Sequence, residues 1–453
     1  MAAQLAQASG ADAAACVQAT TVALLRWSGC TANAPEFAQL FGDDVGGRKS
    51  LLAMQSSDSG FRASTGRIGS AFLSLSRIHC EVAGDIGVQL GLDEATQYAL
   101  RHLFESHDGS GAPDGLRAEQ VPLSVYLAAI AGDLDIFHRL YGLDQALRLV
   151  GQRAGLLYPA ELAQIAIAEA ARWLDALDGD PALSGPCALD AAFVGRVTSL
   201  EILAQVIDLK LPWMTGYSQR VAQLADTAAL QLGLDADRRH RTYRAALIHG
   251  MGRAAVPNLI WSTPGKLGES AWERVRLVPY WTGRAARQIG SLAAEAGLAS
   301  YVYERADGSG YHREARAGDV PVEGRILAAA STFAALCQGR PWREAMTPDA
   351  ARRLLTAETQ AGRYDADVVR ALLADAPTPR AARSPVAASA GLLSERERDV
   401  LRWISRGASN KLAAQKLSIS PSTVRTHVEN VFRKLECSTR AAATLKATQL
   451  GLL

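Results

Sequence analysis

The sequence predicts an all-α protein: one helical module present twice, followed by a small basic four-helix domain. Three observations carry this prediction. Ala and Leu recur along all 453 residues while aromatics make up only 6%, a balance that favours helices over sheets. Two long segments repeat each other in register. The residues after 391 break into four helical stretches, each with its own start signal. The length calls for two to four domains, and 48% apolar with 21% charged residues fits a soluble globular chain.

The repeat pairs "FESHDGSGAPDGLRAEQVPLSVYLAAIAGDLDIF" from Phe104 with "YERADGSGYHREARAGDVPVEGRILAAASTFAAL" from Tyr303. Asp108 aligns with Asp307 and Val121-Pro122 with Val320-Pro321, at a constant offset of 199. Each copy reads as a Gly-rich turn, a charged loop, a Val-Pro step and an apolar helix. Upstream, "ALLRWSGC" and "ALIHGMGR" read as apolar helix ends closed by Gly29 and Gly252. The modules are therefore expected at 1–180 and 181–373, joined through the turn-rich "LDGDPALSGPCALD". No full helix is expected ahead of "TTVALLRWSGC", so the first copy reads as incomplete or as completed by a partner subunit. A Pro/Ala/Ser-rich linker follows at 374–391, then the last domain at 392–453.

That last domain holds 11 Lys/Arg against 5 Asp/Glu, a net +6; with the whole chain at +2, the remainder carries −4. Concentrated positive charge points to a polyanion partner. Ser394 with Glu397 forms a capping box for a first helix that Gly407 ends. Ser409 caps a second helix through Leu417, Ser420 and Pro421 open a third, and Thr439 starts a fourth. Val424, Val428, Val431 and Leu435 make one apolar stripe on the third helix. Arg425, Thr426, Glu429, Asn430 and Arg433 lie off it. With Lys411, Ser422, Thr423 and His427 they form the expected DNA-contacting set, a helix-turn-helix placing its third helix in the major groove. The plainer alternative is a helical bundle with a solvated basic face, or one that contacts protein.

This segment resembles the LuxR-type DNA-binding domain, on Arg396, Glu397, Gly407, Asn410, Lys411, Thr423, Val424, His427, Lys434 and Arg440 among others. The resemblance implies major-groove reading by Arg425, Thr426 and Glu429, and dimerisation through the fourth helix. Leu412 and Ala413 depart from the family's Glu-Ile, which puts the start of the second helix in question. The second module resembles the HD-GYP family of HD phosphohydrolases, on "HGMGR", "TPGKL", "ERADGSGYH", "GDVPVEGRILAAA" and "GRYDADVV". Active members hold two or three metal ions with His and Asp and hydrolyse cyclic di-GMP. Position by position, the resemblance puts Tyr217, Gly250, Val278, Val302-Tyr303 and Ser331 where ligands would stand, and retains His249 and Arg253. In the first copy Arg26-Trp27 and Leu103-Phe104 replace the His-Asp and His-His pairs, and His79 matches Val278. His102, His107 and His138 read as packing or surface residues.

The expectation is therefore a DNA-binding transcription regulator, not an enzyme, whose HD-like modules are catalytically inactive and sense a ligand or dimerise. The alternative is a metal-dependent phosphohydrolase or cyclic di-GMP phosphodiesterase with an atypical site. No catalytic residue, metal ligand or cofactor is expected. Asp307, Tyr311, His249 and Arg253 are minority candidates for a nucleotide pocket; the plain reading of the two DGSG turns is that Asp108 and Asp307 cap them while glycine supplies positive φ. Expected partners are double-stranded DNA, a second copy and a small-molecule or nucleotide effector, not a membrane. Six scattered cysteines without a CxxC pair, and an N-terminus unlike a signal peptide, suggest a reduced cytoplasmic protein.

Overall fold

The computed structural model describes residues 1–52, 66–179, 198–374 and 391–453. Most of the expected linker, most of the turn-rich joint, and Cys187 lie outside the described residues. Among those described the protein is all-helical, with isolated β-bridges and no strand. It divides into two compact units, one of Met1–Phe41 with Gly46–Thr198, the other of Gly42–Val45 with Ser199–Leu453.

The first unit contains α1 (Ala2–Ala8), α2 (Ala13–Leu25), α3 (Ala34–Phe41), α4 (Gly46–Leu52), α5 (Gly66–Gln89), α6 (Glu94–Arg101), α7 (Leu123–Tyr141), α8 (Leu143–Arg153) and α9 (Ala160–Gly179). Helix α2 packs on α7, and α5 on α6. Their shared core includes Leu5, Leu100, Leu127, Ile130, Leu134, Tyr158 and Trp173, each large side chain contributing about 1.5–3 kcal/mol by burial. The expectation of no full helix ahead of "TTVALL" is corrected. Asp12 accepts from Ala15 N at 2.8 Å and so starts α2 at Ala13. Leu5 and Ala6 are buried in the core, which holds α1 in place.

The second unit contains α10 (Leu200–Asp208), α11 (Tyr217–Gln231), α12 (Ala236–Ile248), α13 (Asn258–Trp261), α14 (Glu269–Arg276), α15 (Val278–Arg287), α16 (Ala293–Ala299), α17 (Val322–Leu336), α18 (Pro348–Gln360) and α19 (Ala366–Ala374). Helix α11 is the hub, packing on α12, α17 and α19. The C-terminal helices belong to this unit: α20 (Glu395–Ser405), α21 (Asn410–Leu417), α22 (Pro421–Lys434) and α23 (Arg440–Gln449). Their starts follow the sequence reading. Both bonds of the Ser394–Glu397 capping box form, and Ser409, Ser420 and Thr439 cap the next three helices. The departure at Leu412-Ala413 leaves this start intact: Leu412 N still bonds Ser409, Ala413 is buried and Leu412 faces solvent.

The repeat is visible inside each unit. Glu105 accepts from the backbone N–H of Asp114, Gly115 and Leu116; Glu304 accepts from those of Arg313 and Ala315. A Cβ on Gly111 would lie 2.3 Å from Ser106 N, and one on Gly310 2.4 Å from Arg305 N. Asp108 and Asp307 each accept from the N–H two residues on, and Gly109 and Gly308 have φ of +77° and +82°. Gly29 and Gly252 play another part than expected. They do not close helices with positive φ; α2 and α12 end at Leu25 and Ile248, and both glycines lie in short 3₁₀ turns beyond. A Cβ on Gly29 would lie 2.2 Å from His79 O, and one on Gly252 2.0 Å from Val278 O. These are close backbone approaches, at matched positions of the two copies.

Candidate functional site

Two places carry candidate chemistry, the exposed face of α22 and a buried cluster at the end of α12. On α22, Ser420 turns its hydroxyl to Thr423 N at 3.0 Å, opening the helix against Pro421. Val424, Val428 and Val431 are buried against α20 and α21. Ser422, Arg425, Thr426, Glu429 and Arg433 then share the opposite, exposed face at helical spacing. Arg425 and Glu429 pair at 2.9 Å with side chains 76% and 62% exposed, so both are free to exchange partners. Thr423 is exposed at the helix start, Lys411 is exposed on α21, and His427 and Asn430 are half-buried. Two other basic residues are spent on the fold: Lys434 bonds Glu397 at 2.7 Å, and Arg440 bonds Ala408 O and Asn410 at 2.7 Å each.

In the second cluster α12 delivers His249, fully buried, to the first residue of α11. His249 Nδ1 donates to Ala246 O, so Nε2 is the acceptor for Arg253 at 2.9 Å. Burial first, then the Arg253 charge, lowers its pKa to about 3; the ring is neutral. Tyr217 donates to Ser331 at 2.9 Å and lies under two guanidiniums, Arg253 and Arg340, each 5.0 Å from its ring. Arg340 also covers Trp213 at 4.6 Å. Asp208, which sequence reading missed, completes the cluster. It accepts from Ser218 N and Oγ at 2.8 and 2.7 Å and lies 3.7 Å from Arg253. Burial raises its pKa to about 6, against the pull of Arg253 and Ser218. Nothing in the motif spacing marks Asp208; a lone acid at the end of an apolar helix is its only signal.

Of the four pocket candidates, His249 and Arg253 meet here. Tyr311 packs tilted against Tyr303 at 5.0 Å and edge-to-face with Trp272 at 5.5 Å, while Asp307 is exposed and caps its own turn. In the first unit His79 is buried, bonds Arg26 O at 2.7 Å, packs on Phe104 at 4.9 Å, and has its pKa lowered to about 4 by burial. His102 bonds Tyr98 O and Asp114. The metal pair that the HD-GYP resemblance implies does not fit these residues. Arg253 occupies the acceptor nitrogen of His249, and among the described residues no three His, Cys, Asp or Glu side chains gather as a metal site.

Comparison with known proteins identifies both parts. Residues 201–368 match the family described as HD domain, and residues 391–447 match bacterial regulatory proteins, luxR family. The chain thus carries an HD domain followed by a LuxR-type DNA-binding domain. It is 28% identical over 62% of its length to 3'3'-cGAMP-specific phosphodiesterase 3 of Vibrio cholerae, spanning 63% of that protein. Over 16% of its length it is 45% identical to the probable transcriptional regulatory protein NarL of Mycobacterium tuberculosis, spanning 33% of that protein. The crystal structure of a V. cholerae cyclic GMP-AMP phosphodiesterase, V-cGAP3, superposes with a TM-score of 0.55 at 23% identity. That match covers 82% of this chain and 90% of the other, and shows the shared fold. The expectation that the chain is not an enzyme is corrected here: an HD-domain relative bears the name of a phosphodiesterase, and replaced ligand positions do not establish inactivity. No described helix is long and apolar enough to cross a membrane.

Proposed function

We propose that this chain is a DNA-binding transcription regulator whose HD region engages a cyclic dinucleotide. The observation that carries the DNA-binding part is the open polar face of α22, with Arg425, Thr426 and Glu429 side by side on a domain of net charge +6. Arg suits guanine edges or phosphate, and Asn430 suits adenine. The nucleotide part rests on the HD-domain relative. A homodimer belongs to the same reading, and sedimentation equilibrium tests it.

Selection of genomic DNA fragments on the full-length protein, with Arg425→Ala as control, tests the first part. Enrichment of a few fragments that is lost in the variant is the expected result; equal recovery by both proteins counts against it. Titration of the protein with 3'3'-cGAMP by calorimetry tests the second. The relative's name favours a second reading, in which the HD region also cleaves the nucleotide. Appearance of the linear dinucleotide, followed by chromatography, is its test.

A further inference from the structure

The Leu445 side chain is 1% exposed, yet the domain's own core is built from Val400, Leu401, Ile404, Val424, Val431, Ala443 and Ala447 without it. Residues of the HD region lie on that side of the helix, which also packs on Glu395–Ser405 of its own domain. Thr444, Leu445 and Thr448 of α23 face Gln205, Asp208 and Leu209 at the end of α10, together with Thr215 and Gly216. The geometry points to the Gln205–Gly216 segment as a docking surface for the outer face of α23, tying the C-terminal domain to the elements that hold His249.

Three further features fit this surface. Thr215 shares its hydroxyl proton between Pro212 O and Ser405 O, at 2.8 and 2.9 Å, so it satisfies a carbonyl at the end of α20. Thr444 Oγ1 lies 3.0 Å from Ser405 Oγ on the same seam. Gly407, at φ +84°, brings the chain so close that a Cβ there would lie 3.2 Å from Pro212 Cβ. The surface is anchored on the buried cluster from behind. Asp208 lines the seam and bonds Ser218, and Gly216 is the N-cap residue of the helix that begins with Tyr217. The exposed face of α22 takes no part, since Arg425 and Glu429 remain open to solvent. Docking through α23 therefore holds the domain while leaving its DNA-reading face free, and the inference stands independently of what α22 reads.

The test is hydrogen–deuterium exchange on the full-length protein, comparing wild type with Gln205→Arg and Leu445→Arg, substitutions on opposite sides of the seam. A docked α23 gains protection from the contact, so its amides should exchange at least ~10-fold faster in both variants. Amides of α17 and α22 should keep wild-type rates, because neither substitution touches their cores. Unchanged α23 exchange in Gln205→Arg overturns the proposal. So does acceleration of α22 together with α23 in Leu445→Arg, which would make Leu445 part of the domain's own core.

Discussion

His249→Gln should reverse the acid response of the second unit. The pKa of His249 is lowered to about 3 from an ordinary 6.5 by burial and the adjacent Arg253. Between those values the unfolded chain holds a proton that the native ring refuses. The stabilisation is present above pH 6.5 and is lost as pH falls toward 3. From pH 7 to pH 5 the loss works out at about 2 kcal/mol. Asp208 acts in the opposite sense. Its folded pKa is raised to about 6 by burial, so its contribution is present at low pH and fades as pH rises through 6, giving about 1 kcal/mol back on the same acidification. In wild type a net loss of about 1 kcal/mol remains. In His249→Gln only the Asp208 part remains, and the variant should lose about 2 kcal/mol less than wild type between pH 7 and pH 5. Denaturant unfolding of both proteins across this range, followed by tryptophan fluorescence, measures the difference. Parallel profiles would refute a neutral buried His249.

Gly252→Ala should cost about 3 kcal/mol or prevent folding, since its Cβ would meet Val278 O at 2.0 Å and Thr282 N at 2.8 Å, both backbone atoms. Gly297→Ala in α16 is the control: nothing lies within 4 Å, and thermal unfolding should show it neutral or up to about 1 kcal/mol more stable. Glu304→Gln leaves one oxygen for the two N–H groups of Arg313 and Ala315; a loss of about 1–3 kcal/mol is expected by denaturant titration. Arg425→Ala should weaken binding to a selected DNA fragment by about 1–3 kcal/mol and leave folding unchanged, because the side chain is 76% exposed. With ~6–10 phosphate contacts, binding by the wild type should fall ~10³–10⁵-fold between 50 and 200 mM salt; fluorescence anisotropy reads both.

Much of this architecture was legible because local signals and global packing agree. The caps at Ser394, Ser409, Ser420 and Thr439 are short-range chemistry that a sequence displays directly. So is the valine stripe of α22. The repeat was legible for another reason: a turn that needs glycine at positive φ and an acid two residues before a free N–H leaves a fixed spelling, DGSG, in both copies. What escaped was contact between distant segments. Asp208 joins the cluster only because α10 crosses beside α11 and the turn after α12. Glu105 and Glu304 organise their loops through backbone N–H groups nine to eleven residues away, a pattern with no residue-type signature. Gly29 and Gly252 were seen but misread, since a glycine that ends a helix and a glycine that admits another backbone look alike in one dimension. The question of activity was beyond the motif too, because comparing ligand positions tests inherited chemistry and not what the present residues do.

The approach at those two glycines has a consequence for how the copies could diverge. What each glycine meets is a main-chain carbonyl, that of residue 79 in one unit and of residue 278 in the other. Every amino acid carries that oxygen. The contact is therefore indifferent to the side chain attached to it, and histidine in one copy and valine in the other leave the same seat beneath the same turn. Tolerance of this kind lets a duplicated scaffold change what lines its interior while its joints stay untouched.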